Sequence, residues 1–423
     1  MMSLTLASFP VKKAQLAGRT EYRDGLLTID GDTLRRLILQ DQRIRDVKLE
    51  LVHPGESVRI IRAIDAIEPL TKIQGPSCCF PGFNGPPRIC GSGLTHRLEG
   101  FTVIQVTDFP YPASGVQAFE EGIIEMTGPG AVYSACSDRV NLLLVLTPGA
   151  ASNNIDYDDA LRRAGLKVAN YLAQVTKGLS PPVDETFSIR DETPGLPRVV
   201  WVHVVRAQGP MIQTFLYGHE MSGCVPTILH PNEMLDGAVV GANYKIGSRT
   251  PTFRHTWHPS LATLYRRHGK DLNFVGVIIA RGHHESEFLK ERSAQIAAKL
   301  AGMLKADGAL CTYEATGNTH IDFMLIVKAL EQLGIPTGAV VHEYGGAEGK
   351  DISLLDFTLE AIALASSGGI DRRIQLPAVE RLIGGTHLAH RGEPARGELN
   401  LPLQELYAVT AEMNLRGHRA MEY

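Results

Sequence analysis

Two hydrophobic periods run along this chain, and the change between them organises it. Over the first 72 residues short β-branched runs alternate with turns. Leu26 to Ile29 lies between Gly25 and Gly31, Val47 to Val52 alternates apolar and charged residues as a half-buried strand does, and Thr33 to Leu39 has helical spacing. Residues 74 to 93 hold Pro76, Pro81, Pro86 and Pro87 among glycines and predict a loop. From about residue 98 the pattern becomes α/β. Phe101 to Val106, Asn141 to Thr147 and Arg198 to Arg206 predict strands. Asp156 to Lys177 predicts an amphipathic helix, with Leu161, Ala164, Val168, Leu172 and Val175 on one face and Gly178 as its stop. Gly165 inside that helix costs about 1 kcal/mol against alanine.

Beyond a loop from Pro251 to Pro259 the alternation resumes. Phe274 to Ala280, Ala309 to Tyr313 and Ile335 to His342 predict strands. Ser286 to Lys305, His320 to Leu333 and Asp351 to Ala365 predict helices. The expected fold is α/β: a small β-rich N-terminal domain (1–73), an α/β domain (74–259), and a doubly wound α/β domain (260–423), with largely parallel sheets.

Composition narrows the function. Of 423 residues, 44% are hydrophobic and 21% charged, which describes an ordinary globular protein. A net charge of −4 argues against nucleic acid or an anionic membrane as partner. The start carries no basic segment followed by an apolar one, and no run of 18 apolar residues occurs, so a cytoplasmic protein is expected. Six cysteines show no C-x-x-C spacing, and the adjacent Cys78 and Cys79 are expected as two buried thiols.

The densest chemistry is H-P-N-E-M-L-D-G-A-V-V-G-A-N-Y, from His230 to Tyr244. Ala238 to Val240 reads as a short strand that presents Asn243 and Tyr244 at its tip. If Asn232 to Leu235 turns as a helix, Glu233 and Asp236 share a face, and such a pair can act as acid and base. The D-G step equally suits a turn. Gly91, Ser92, Thr95 and His96 form G-S-G-x-T-H, an anion-binding turn or merely a tight one. The ends of the last three strands lead to His284, to Glu314 and Asn318, and to His342 and Glu343. Convergence of His284, Glu314, His342 and Glu343 would make a site for a divalent metal. His203, inside a strand, is expected as a core histidine.

Several of these stretches resemble one family in order along the chain: Leu51 to Ile60 (L-V-H-P-G-E-S-V-R-I), Phe80 to Gly82, Gly91 to His96, Phe119 to Pro129 (F-E-E-G-I-I-E-M-T-G-P), His230 to Tyr244, and Tyr265 to Val277. The chain resembles the component B proprotein subunit of the glycine, sarcosine and betaine reductases, a family related to the D-proline reductase proprotein. The resemblance implies a subunit that activates a small amine or betaine for reductive C–N cleavage. It also implies a separate partner chain with a redox-active selenocysteine or cysteine, hence a hetero-oligomer. His230, Glu233, Asp236, Asn243 and Tyr244 are then the expected catalytic positions, and Gly91, Ser92, Thr95, His96, Glu314, Asn318 and Glu343 the substrate-binding ones. In the family a cysteine after the asparagine is cut to form a pyruvoyl group. Here Tyr244 stands in that place, and its hydroxyl, across a ring, cannot attack the preceding carbonyl. The chain is therefore expected uncut and without pyruvoyl. Ser248 and Cys224 are the alternative precursors. A non-catalytic scaffold and a metal-dependent C–N cleaving enzyme are the alternative functions.

Overall fold

The computed structural model describes residues 2–109, 121–209, 211–243, 247–314, 317–389, 391–416 and 419–420. The β-rich N-terminal region shares two four-stranded sheets with later strands, so these sheets draw on residues either side of position 73. In the first, Leu4–Pro10 lies between Val183–Phe187 and Gly93–Glu99, with Leu70–Gln74 at the edge. In the second, Val140–Pro148 and Phe101–Val106 run parallel, flanked by the antiparallel Ile44–Val52 and Ala63–Ile67. The helix Asn154–Ala173 packs on the second sheet and buries Leu161, Ala164, Val168 and Leu172, the predicted stripe.

The main sheet has seven strands, in the order Thr227–Leu229, Asn273–Gly282, Arg198–Arg206, Gly308–Tyr313, Thr337–Glu343, Ala363–Gly369 and Arg419–Ala420. Its five central strands are parallel, and both edges are antiparallel. Arg198–Arg206 sits inside this sheet, which therefore draws on residues either side of position 260. Alternation along that strand splits its side chains between two cores. Val200, Val202 and Val204 pack with the helices Glu287–Met303 and Asn318–Gln332. Trp201 and Val205 pack on the other face with Leu261 and Leu264 of Pro259–Arg267 and with Met234, Leu235 and Val239. Helices on both faces make the sheet doubly wound, as expected.

One predicted helix is absent. Between Asp351 and Ala365 the chain forms no helix, and its end becomes the strand Ala363–Gly369. Leu354, Phe357, Ala361 and Leu364 have the spacing of a helical stripe, but Phe357 stays 69% exposed, so these residues are not buried as one helix face. Leu354, Ala361 and Leu364 pack on the core, whereas Leu359 and Ile362 stay 87% and 84% exposed. Cys79 is buried as expected, but Cys78 is only partly so, and all six cysteines are free thiols. No helix among the described residues is long and apolar enough to cross a membrane.

Candidate active site at the sheet edge

The segment from His230 folds as expected into a helical turn, Pro231–Leu235, followed by a short strand, Val239–Val240. His230 is its N-cap: its Nδ1 accepts from the Asn232 N–H at 3.2 Å, and Glu233 Oε1 reaches back to the His230 N–H at 2.7 Å. Burial pushes the His230 imidazole down to about 4, helped by Arg190. The other Glu233 oxygen accepts from the Tyr217 hydroxyl. Burial raises the Glu233 carboxyl, against the pull of these two hydrogen bonds.

Asp236 is fully buried and completely engaged. It accepts from the Gly91 N–H at 2.7 Å and the Thr95 hydroxyl at 2.5 Å, and it pairs with the Lys72 ammonium. Lys72 also donates to the Ser92 carbonyl and to Thr95 Oγ1, both at 2.9 Å. The G-S-G-x-T turn thus binds an anion, and that anion is the chain's own Asp236. Gly91 is at φ +92°, and a Cβ there would lie 2.9 Å from the Glu233 nitrogen. Gly237 is equally forced: at φ +81° it lies against the Phe80 ring, while the Phe80 N–H bonds to the Asp236 carbonyl at 3.0 Å. Three motifs of the sequence therefore lock into one joint. His96 is not part of it. One step along the strand from Thr95, it points to the opposite face, where Nδ1 meets Thr176 Oγ1 at 2.9 Å and the ring lies 4.8 Å from Phe9.

A second group forms beyond the carboxyl ends of the central strands, where parallel sheets place their ligands. Glu314 is its hub. Its carboxylate accepts from the Arg206 N–H, the Thr214 hydroxyl and the Thr250 N–H, each at 2.8 Å, so it ties together three loops. His255 Nε2 lies 3.9 Å from Glu314 Oε2, and the His203 ring lies 5.7 Å from that of His255. Burial pushes both imidazoles down to about 3 and keeps them neutral. The start of the helix Thr252–Thr256 and the residues before it are pinned by Asp65, which accepts from the Thr252 N–H at 3.0 Å and its hydroxyl at 2.5 Å and pairs with Arg249 at 3.1 Å. Asn243 donates to the Asp158 carbonyl at 3.1 Å. Asn243 Oδ1, Ser248 Oγ, Gln213 Oε1, His203 Nε2 and both His255 nitrogens are buried without a partner among the described residues. Unpaired buried polar atoms are costly, and His203 and His255, beside Glu314, bring three of them together. Tyr244 lies outside the described residues.

The remaining expected residues do not converge on this hub. Asn318 opens the helix Asn318–Gln332, and its carbonyl accepts from buried Lys290 at 3.3 Å. The Glu343 carbonyl accepts from Ile370. His342 stacks on Tyr313 with ring centres 4.8 Å apart, and its Nε2 lies 3.3 Å from the Tyr344 hydroxyl. His284 is exposed. The described residues contain no group of three or more His, Cys, Asp or Glu able to hold a metal ion, so His284, Glu314, His342 and Glu343 do not form the expected ligand set. The reason is topological: the strand of His342 lies beyond that of Glu314, and the hydrogen bonds of Glu314 come from the other side. Conversely, sequence reasoning misses His255, Thr214 and Asp65; His203 is buried as expected, but with an Nε2 that is unpartnered among the described residues. One signal was present, the polar run R-T-P-T-F-R-H-T from Arg249 to Thr256 just after the densest motif.

The model of the glycine/sarcosine/betaine reductase component B subunits matches residues 2–414. The sarcosine reductase complex component B subunit alpha of Peptoclostridium acidaminophilum is 36% identical over 392 residues, covering 90% of this chain and 89% of the relative. The glycine reductase complex component B subunits alpha and beta of Acetoanaerobium sticklandii are 34% identical with the same coverage. The D-proline reductase proprotein of that organism is more distant, 22% identical over 78% of this chain and 53% of its own length. No solved structure matches. Matched from end to end by the family model and by relatives of this identity, the chain belongs to the glycine/sarcosine/betaine reductase component B family.

Proposed function

We propose that this chain is the substrate-activating subunit of a reductase complex, acting uncut and without pyruvoyl on a C–N bond of a small amine or betaine. A partner chain would bring the redox-active cysteine or selenocysteine. The observation that carries this reading is the hub around Glu314, where nitrogens of buried His203 and His255, unpartnered among the described residues, lie together, and where Gln213, whose Oε1 is likewise unpartnered, adjoins Thr214 in sequence. Neutral imidazoles and amides can hold a small zwitterion by hydrogen bonds, and a quaternary nitrogen needs no carbonyl cofactor because it cannot condense with one. Glu233 and Asp236 act at one remove, as the joint that holds the loop.

Thermal unfolding with glycine, sarcosine and betaine tests the reading. One of them is expected to raise the midpoint, since a ligand at a hundred times its Kd stabilises by about 2.7 kcal/mol. Gln213→Leu is expected to abolish the shift. No shift with any of the three would leave a scaffold without chemistry.

A second reading is favoured by one contact. The Gly247 carbonyl accepts from Thr410 N–H at 3.1 Å and Thr410 Oγ1 at 3.3 Å, and the adjacent Ser248 Oγ is unpartnered among the described residues. Attack of that hydroxyl on the Gly247 carbonyl would give an ester. Its β-elimination, then hydrolysis with loss of ammonia, would leave a pyruvoyl group at Ser248. An intact mass separates the two readings.

A further inference from the structure

Thr312 stands between Trp201 and His203. The Trp201 indole Nε1 lies 2.9 Å from Thr312 Oγ1, and Thr312 Oγ1 lies 2.8 Å from His203 Nδ1. An indole N–H only donates, so the threonine oxygen must be its acceptor. The single hydroxyl proton then has one acceptor in reach among the described residues, His203 Nδ1. A neutral imidazole that accepts at Nδ1 carries its own proton on Nε2. His203 is 1% exposed, and its Nε2 has no partner among the described residues. Its ring packs in a cluster with Trp201 and His258, each with its centre 5.0 Å away and 4.6 Å from one another.

We infer that Thr312 is a positioning residue: its hydroxyl, oriented by Trp201, fixes His203 in the Nε2–H form, so that the sheet-edge hub presents a neutral donor to an oxygen of its ligand, such as the carboxylate of a small amine. The identity of that ligand rests on the function proposed above; the tautomer does not. Burial, which keeps the imidazole uncharged, means that this donor persists across the neutral pH range.

Nitrogen-15 NMR of histidine-labelled full-length chain reads the tautomer directly. The wild type is expected to show His203 with Nε2 protonated and Nδ1 bare. Thr312→Val keeps the shape and removes the hydroxyl, and is expected to give a mixed tautomer. Thr312→Ser restores the hydroxyl and the single form, and serves as the folding control. A proton on Nδ1 in the wild type, or an unchanged single form in Thr312→Val beside a folded Thr312→Ser, overturns the inference. Glycine, sarcosine and betaine are then added separately. A shifted Nε2 signal, with binding about tenfold weaker in Thr312→Val, supports the donor role, the factor being that of one hydrogen bond. No shift with any of them refutes the ligand reading and leaves the tautomer assignment standing.

Discussion

Asp236 and Glu314 are both buried carboxylates, and their partners separate their jobs. Asp236 is matched by a full charge on Lys72, itself only 7% exposed at the side chain. Removing one charge of such a pair leaves the other buried and uncompensated, so Asp236→Asn is expected to destabilise by about 3–5 kcal/mol in urea unfolding. A loss below about 1 kcal/mol would contradict the joint described here. The sequence made Asp236 conspicuous but could not say whether it would face substrate or another part of the chain. Only the fold places Lys72, 164 residues earlier, against it. His342 gives a pH test. Burial pushes it from an ordinary 6.5 to about 3. Between those values the unfolded chain binds a proton that the native chain does not. The stabilisation is therefore complete above pH 6.5 and is lost as pH falls towards 3, by about 1.4 kcal/mol per unit. His342→Phe keeps the stack on Tyr313 and removes the titration. Wild type should lose about 2 kcal/mol more than the variant between pH 7 and 5; equal losses would contradict the assignment.

The elements were legible where one period was sustained. Arg198–Arg206 and Phe101–Val106 have the bounds their apolar runs predict, and the helix Asn154–Ala173 differs only in its ends. Asp351 to Ala365 departs from this: Leu354, Phe357, Ala361 and Leu364 have helical spacing, yet the segment ends in the strand Ala363–Gly369, paired with Thr337–Glu343, so the sheet overrides the local pattern. Gly165 is the instructive exception within a correct helix. An added Cβ would lie 1.9 Å from Gln105 Nε2 and 2.8 Å from Ile67 Cδ1, and that Gln105 amide donates to the Leu161 carbonyl at 2.6 Å. Helix propensity favours alanine there by about 1 kcal/mol. Overpacking wins, because backbone and amide cannot both retreat, and Gly165→Ala is expected to destabilise by about 1–3 kcal/mol in thermal or urea unfolding. A stabilised variant would show that the helix stands further off the sheet.

At the scale of the whole molecule, the local motifs were readable and their meeting was not. F-P-G, G-S-G-x-T and D-G-A are far apart in sequence and become one joint. The hub collects His203, Thr214, His255 and Glu314 from four stretches, of which only that of His255 stands out in the sequence, as a polar run. Parallel topology brings them to one edge, and that is a property of strand order rather than of any window of residues. Tyr244, which stands where the resemblance leads one to expect a cysteine, leaves the proposed uncut state to a direct measurement: the intact mass of the purified, denatured chain. A single species at the full 46.1 kDa is the predicted result, and it would establish an uncut subunit. Two fragments, with the C-terminal one bearing a carbonyl that reacts with hydrazine, would contradict the account and place the cut at Ser248 or Cys224.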